Sequence, residues 1–329
     1  MMSWSPHFPR VRASANIAFI KYWGNRPGDL NLPLNPSISM TLDSCYTDTS
    51  VEPIPGPVDE ITISGKTPGE KALARTVKFL DMMRRWAGSA QHFRVISENS
   101  FPTGCGIASS ASGFAALTGA TLAALDKRAC GAEMSRLARL GSGSAARSVD
   151  GGFVELLSGE THEACYAVQL ADENAWPNLR DVVAILSSEE KATSSADGHK
   201  LAVTSELFEG RLRAIPARAA QVREAIRRRD LEMLGEAAEA DALSMHAVMM
   251  TSRPPLFYWT ERTVRAINAV HALRQRGVEA YFTIDAGPNV HIITVARHEE
   301  AVKRMVKDEL GAELIVARPG HGPGLEAAG

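Results

Sequence analysis

Alternating apolar and polar positions predict β-strands in the first third of the chain, and helical spacing dominates later. Residues 11–24 (VRASANIAFIKYWG) read as a strand entering a turn, and the proline-rich segment NRPGDLNLPLNPS then breaks any regular element. Residues 38–53 (ISMTLDSCYTDTSVEP) and 59–66 (DEITISGK) alternate as half-buried strands, with Pro55, Gly56 and Pro57 marking the turn between them. KALARTVKFLDMMRRWAG carries apolar residues at helical spacing and stops at a glycine. After the short strand FRVIS (93–97), the loop ENSFPTGCGIASSASG runs into a long apolar helix. A second small-residue loop, GSGSAARSVDGG (141–152), precedes the strand-like segments FVELL, CYAVQL and VVAILS. An Asp197-Gly198 turn is expected next, followed by amphipathic helices over residues 203–277. YFTIDAGPNVHIITVA reads as strand, tight turn and strand, which places Asp285 at a strand end where side chains commonly face a cleft. The tail HGPGLEAAG reads as disordered.

No regular βαβ alternation is present, so the pattern predicts an α+β fold rather than a parallel α/β one. With 329 residues the chain can build two lobes around a cleft, and the expected boundary lies near residue 185, giving lobes 1–185 and 186–329.

Composition narrows the function classes. At 45% hydrophobic and 22% charged residues with a formal net charge of -2, the chain resembles an ordinary globular protein and nothing points to nucleic acid. Arg223, Arg227, Arg228 and Arg229 sit in an amphipathic pattern and read as a solvated helix face. The four cysteines, Cys45, Cys105, Cys130 and Cys165, are far apart and lack metal-ligand spacing, which indicates neither a zinc site nor a disulfide framework. No apolar run reaches the length of a membrane span, so neither secretion nor membrane insertion is expected, and the unpaired cysteines suit a reducing cytoplasm.

Two loops have the chemistry of anion sites. In PTGCGIASSAS (102–112), Gly104, Gly106, Ser109 and Ser110 leave backbone N–H groups open to an anion at a helix N-terminus, although the same residues serve equally well as a turn and cap. This is not a Walker A loop. In GSGSAAR (141–147), the formal dinucleotide match is discounted, because no clear strand precedes it and no acidic residue follows at ribose distance. Arg147, beside Ser142 and Ser144, offers a planar fork for a carboxylate or phosphate. His246 and His291 have no partner at metal spacing and read as structural.

The runs ASANIAFIKYWGNR, NLPLNPSISMTLD, FPTGCGIASSASGF, GSGSAARSVDGGFVEL and FTIDAGPNV resemble, in order and spacing, the mevalonate diphosphate decarboxylase family of the GHMP kinase superfamily. The resemblance spans residues 10–296. It implies a two-lobed enzyme, usually a homodimer, that binds ATP and Mg2+ and a phosphorylated mevalonate in the central cleft. By the same resemblance Asp285 is the catalytic carboxylate, orienting or deprotonating the substrate's 3-hydroxyl, and Lys21 is its cationic neighbour. Gly104, Gly106, Ser109 and Ser110 match the triphosphate loop, with Ser109 or Ser110 placed to touch Mg2+. Arg147 matches the arginine for the substrate carboxylate, and Tyr22, Ser142, Ser144 and Ser195 match the 5-phosphoryl end, with Asn16 supporting the cleft.

Two positions depart from the family pattern. Where the family typically reads K-Y-W-G-K this chain ends in Asn25, and where it reads S-S-R this chain has Ser194-Ser195-Ala196. Two cations that serve the diphosphate are therefore missing. Losing two charge-assisted hydrogen bonds costs roughly 3–6 kcal/mol toward a terminal phosphate. The pair therefore points to mevalonate 5-phosphate as substrate and isopentenyl phosphate as product. The alternatives are the diphosphate, with His199, Lys200 or Lys191 replacing the lost charge, a 3-kinase that stops after phosphorylation, and a non-catalytic ligand-binding relative.

Overall fold

The computed structural model describes residues 8–101, 109–129, 131–188 and 193–326. The chain opens with β1 (Arg10–Ile20) and the long β2 (Ser37–Ile54), then β3 (Glu60–Ile63), α1 (Glu70–Ala87) and β4 (His92–Asn99). α2 (Ser109–Ala124), α3 (Ala132–Gly141), β5 (Phe153–Leu156) and β6 (Ala167–Ala171) follow. The later half contains β7 (Leu179–Ile185), α4 (Ser195–Leu201), α5 (Phe208–Arg228), α6 (Leu231–Met250) and α7 (Glu261–Gln275). It closes with β8 (Ala280–Thr283), β9 (Val290–Val295), α8 (Glu299–Arg304), β10 (Glu313–Ala317) and β11 (Gly324–Glu326).

These strands form two sheets, which makes the fold α+β as expected. The first has the order β11-β1-β2-β4-β3, and β5 and β6 extend it from β2; the second has the order β10-β7-β9-β8. Every pairing is antiparallel except β3 with β4. The chain changes sheet between β6 and β7, ahead of residue 185, and returns to the first sheet through β11.

Local chemistry explains most element ends. Gly88 stops α1 in the left-handed conformation (φ 66°), its N–H donating to the Arg84 carbonyl. Asp230 caps α6 by accepting from the Met233 N–H, and Thr260 and Thr263 form a reciprocal capping box at α7. α2 is apolar on all sides and buried over most of its length, as such a helix must be. One apolar cluster joins the sheets: Ile17 and Phe19 of β1 and Val183 and Ile293 of the second sheet share it with Ile215 of α5 and Leu234 of α6. Removing these side chains from water holds the lobes together at about 1.5–3 kcal/mol for each large residue.

Two sequence expectations are corrected. Asp197 and Gly198 lie inside α4 rather than in a turn; a Cβ at Gly198 would come within 2.5 Å of the Trp23 ring, so the glycine serves close helix packing. Part of the expected disordered tail is ordered, because Gly324–Glu326 pairs with Arg12, Val11 and Arg10 of β1. Among the described residues no helix is long and apolar enough to cross a membrane.

Gly235 on α6 faces Tyr281 of β8, where an added Cβ would lie 2.0 Å from the ring carbon Cγ. Gly235→Ala is expected to destabilise the protein by about 1–3 kcal/mol in urea denaturation, as overpacking does. Unchanged or raised stability would show that the ring yields freely.

Candidate active site

Lys21 leaves the end of β1, and Asp285 stands two residues beyond β8. Although 264 positions apart, they meet: Lys21 Nζ donates to Asp285 Oδ1 at 2.6 Å. The lysine is almost fully enclosed, whereas the Asp285 side chain retains 23% exposure, so the carboxylate is the accessible member of the pair. Burial opposes ionisation of Asp285, but Lys21, His291 and Arg147 outweigh it and hold the carboxyl below its usual range. Burial also lowers the proton affinity of Lys21, against the pull of Asp285.

The backbone of Lys21 is held at both its N–H and its carbonyl. Its N–H donates to Asp241 Oδ2 on α6 at 2.7 Å, and its carbonyl accepts from Asn35 Nδ2 at 2.9 Å and from an Arg211 guanidinium nitrogen on α5 at 3.1 Å. Arg211 in turn grips both oxygens of Asp241 at 3.0 Å, and both side chains are wholly buried.

Arg147 ends a single 3-10 turn, Gly143–Arg147, that follows α3. Its Nε donates to Ser39 Oγ and one terminal nitrogen to Asn16 Oδ1, each at 3.0 Å. Asn16 is anchored to the same turn, donating to Ser148 Oγ at 2.8 Å and to the Ser144 carbonyl at 3.2 Å. The other terminal nitrogen of Arg147, Nη1, is buried without a hydrogen-bond partner among the described residues. A buried donor left unpaired is costly, so an acceptor supplied by a ligand fits this position. Burial pulls the guanidinium down to about 10, and it remains cationic at neutral pH.

The serines and aromatic residues gather beside this arginine. Ser142 Oγ lies 3.0 Å from Ser144 Oγ and 3.3 Å from Ser110 Oγ, which ties the start of α2 to the 3-10 turn. Tyr22 covers Gly143 so closely that a Cβ there would fall 1.9 Å from the ring. The Tyr22 hydroxyl donates to Asn25 Oδ1 and sits 3.2 Å from the Asn31 carbonyl. His199 of α4 packs on Tyr22 and Trp23, with ring centroids at 4.4 and 4.6 Å, and its Nδ1 accepts the Gly24 N–H at 3.1 Å. Burial and the nearby arginines 75 and 147 push His199 down to about 3, and taking a proton at Nδ1 would also break the Gly24 bond. It is a neutral group at neutral pH and cannot replace a lost cation. Lys200 is exposed beside Asp197, which Lys71 also engages, and Lys191 lies outside the described residues.

The structure thus brings Lys21, Asp285, Arg147, Asn16, Ser142, Ser144, Ser110, Tyr22 and Asn25 into one region. Ser109 begins α2 next to Ser110, and Gly104 and Gly106 lie outside the described residues. Ser195 begins α4, the helix that carries His199, but its side chain makes no hydrogen bond to Tyr22, Ser142 or Ser144. Sequence reasoning missed Asp241, Arg211, Ser39 and Arg75. Asp241 carried a readable signal, a carboxylate inside the apolar run ALSMHAVMM and its preceding alanines, since Asp is almost never buried unpaired.

The similarity to known proteins agrees with this geometry. Residues 13–167 match the Diphosphomevalonate decarboxylase-like N-terminal domain, and residues 181–318 match the Mevalonate 5-diphosphate decarboxylase C-terminal domain. The chain belongs to the diphosphomevalonate decarboxylase family. It is 36% identical to the diphosphomevalonate decarboxylase of Aspergillus fumigatus, over 91% of this chain and 80% of that protein. A solved complex of MDDEF with MVAPP, AMPPCP and magnesium superposes with a TM-score of 0.92 at 37% identity, covering 97% of this chain and 99% of that one. The mevalonate diphosphate decarboxylase of Staphylococcus aureus gives a TM-score of 0.91 at 34% identity, with 97% of each chain covered. The family's two-lobed GHMP-type fold and its standing as ATP-dependent carboxy-lyases therefore frame the site.

His246 on α6, behind the Lys21 pair, is buried against Trp259 with its Nε2 unpartnered, and burial with the charge of Lys21 pushes it from 6.5 down to about 3. Between those values only the unfolded chain takes up this proton, so stability is intact above pH 6.5 and falls as the pH drops. Urea denaturation between pH 6.5 and about 5 is expected to show a slope steeper by about 1.4 kcal/mol per pH unit in the native protein than in His246→Gln. Parallel slopes would overturn the assignment.

Proposed function

We propose that this enzyme decarboxylates mevalonate 5-phosphate in an ATP-dependent reaction, giving isopentenyl phosphate, ADP, phosphate and CO2. The observation that supports the substrate assignment is the charge count at the phosphoryl end among the described residues. Asn25 is engaged by Tyr22, Ala196 offers no charge, His199 is neutral, and Lys71 and Lys200 are turned to Asp197. A monophosphate asks for fewer cations than a diphosphate and suits this end better.

The chemistry follows from the same side chains. Asp285, ionised and accessible, accepts the hydrogen bond of the substrate's 3-hydroxyl and can take its proton as that oxygen attacks the γ-phosphoryl group of ATP. Lys21 fixes the carboxylate and adds positive charge where the transferring group becomes more negative. The unpaired Nη1 of Arg147 binds the substrate carboxylate, while Ser39 and Asn16 hold the rest of the guanidinium still. The 3-phosphate then leaves with its electron pair as the bond to the carboxyl carbon breaks. The electron pair of that carbon–carbon bond, not the pair that leaves with the phosphate, forms the double bond as CO2 departs.

Nucleotide binding is supported by the relative that holds MVAPP, AMPPCP and magnesium together, AMPPCP being an ATP analogue. In this chain the start of α2, with Ser109 and Ser110, is suited to the triphosphate, and serine hydroxyls are hard ligands compatible with Mg2+. Bound Mg2+ would neutralise charge on the phosphates. The names of the relatives favour a second reading, in which the diphosphate is the substrate.

Comparing kcat/KM for the two substrates, with ADP and CO2 both monitored, separates the readings. The monophosphate is expected to win by about tenfold or more, with CO2 and ADP released in equal amounts. Preference for the diphosphate would reject the substrate assignment, and ADP without CO2 would reject decarboxylation. Asp285→Asn is expected to lower kcat by about 10²–10⁴-fold, as loss of a general base does. Unchanged turnover in that variant would remove Asp285 from the chemistry.

A further inference from the structure

We infer that His291 on β9 is a positioning residue for Asp285: paired with the buried carboxylate of Asp181 on β7, it turns the positive edge of its ring toward Asp285. β9 lies between β7 and β8 in the second sheet. His291 stands opposite Val183 on one side and Thr283 on the other, and Asp285 follows Thr283 by two positions, just past the strand end. Directly paired residues point to the same face, so Asp181, two positions before Val183, shares that face with His291. It is the face turned to β1, where Thr283 donates from Oγ1 to the Ala18 carbonyl. His291 Nδ1 lies 2.7 Å from Asp181 Oδ2, and both side chains are enclosed. Nε2, on the other edge of the ring, is therefore turned away from β7, and among the described residues it has no hydrogen-bond partner.

Asp181 has no partner at Oδ1 among the described residues, and a buried carboxylate with a single partner needs that partner's proton. Whether the shared proton is drawn on the imidazole or on the carboxyl, the pair is neutral as a whole and Nε2 carries a hydrogen. The result is a fixed dipole with its negative end at β7 and its positive end directed away from it. The charged and titratable groups that act on Asp285 are Lys21 from β1, His291 from β9, Arg147 from the 3-10 turn and His246 from α6, with Asp241 of α6 acting on Lys21. Around the pair itself, Val183 and Ile293 belong to the apolar cluster that Ile215 of α5 and Leu234 of α6 complete. Burial favours the neutral form of Asp285, and Lys21, then His291, oppose it. A second positive group thus helps Lys21 keep the carboxylate ionised while it waits for the substrate's hydroxyl. The competing role is a polar staple between β7 and β9 that has no influence on Asp285.

This inference deepens the proposed reaction, in which Asp285 takes the hydroxyl proton, and its test reads Asp285 with and without turnover. Deleting His291 alone would strand Asp181 in the core, so the pair is removed together as His291→Leu with Asp181→Val, apolar residues commonly replacing a buried ion pair without loss of fold. In carboxyl 13C NMR of the aspartate-labelled enzyme, with Asp285→Asn identifying the signal, Asp285 is expected to titrate at higher pH in the double variant than in the native protein. The acid limb of kcat/KM for the better phosphorylated substrate is expected to move the same way, so that activity on the limb falls about threefold or more relative to the native enzyme. Should the double variant not fold, His291→Gln keeps a donor for Asp181 without the ring's second N–H and is expected to shift both readouts in the same direction. An unchanged Asp285 titration in a folded variant would overturn the inference in favour of the staple. If Asp285→Asn keeps full turnover, the reading of Asp285 as the base falls, while the NMR titration still decides whether the pair acts on it.

Discussion

The wholly buried ion pair between Arg211 and Asp241 is the constraint on which the site depends. Two charges removed from water gain little net stability from each other, and hydrophobic replacements are often as stable. The value of this pair lies in geometry. Each member makes a further hydrogen bond to the backbone of one residue, on the two peptide groups that flank it, Asp241 taking the N–H of Lys21 and Arg211 donating to its carbonyl. The end of β1 is thereby held against α5 and α6, elements packed under the second sheet, and Lys21 is aimed at Asp285. Without that grip a lysine, with its flexible four-carbon stem, would have to be ordered at a cost of up to about 2 kcal/mol of side-chain entropy.

Charge at the site is divided between settled and unsettled groups. Lys21 has Asp285 at 2.6 Å, and Arg211 has both oxygens of Asp241. Arg147 and Arg75 have only neutral oxygens as partners, from a serine and an asparagine in one case and a backbone carbonyl in the other. Such groups are oriented without being neutralised. On the proposed function, their positive potential serves a ligand carrying two separated negative groups, a carboxylate at one end and a phosphate at the other. Preorganised donors of this kind need little rearrangement when the substrate enters.

Much of the fold was legible because its elements obey simple periods: the extent of β2, the spacing in α1 and the terminal Gly88 read correctly, although β2 is buried on both faces over most of its length rather than half-buried. Close packing was less legible. Gly198 reads as half of a turn, yet it lies within α4 because Trp23 occupies the space a side chain would need. The tail reads as disordered on composition, yet three of its residues find an open edge on β1, a long-range pairing that no local pattern announces. For the site, Lys21 and Asp285 are ordinary residues until the family resemblance joins them across 264 positions. Arg75 was missed because α1 carries basic residues both in solvent, as Lys71 and Lys78 are, and buried, as Arg84 is, and helical spacing alone does not tell one kind from the other.

The histidine at position 199 shows why charge cannot be counted from residue type. Beside two vacated cationic positions it reads as a replacement, since imidazole titrates near neutrality. In the folded chain Nδ1 is already an acceptor for Gly24, the ring is pressed between Tyr22 and Trp23, and two arginines repel a further positive charge. Burial, the Gly24 hydrogen bond and the two arginines all oppose a further proton, so His199 keeps a hydrogen-bond donor at Nε2 and adds no cation. On the proposed function, the phosphoryl end relies on fixed guanidinium charge and hydroxyl groups, and discrimination between one phosphate and two would depend on how many charges are present rather than on the pH at which they are read.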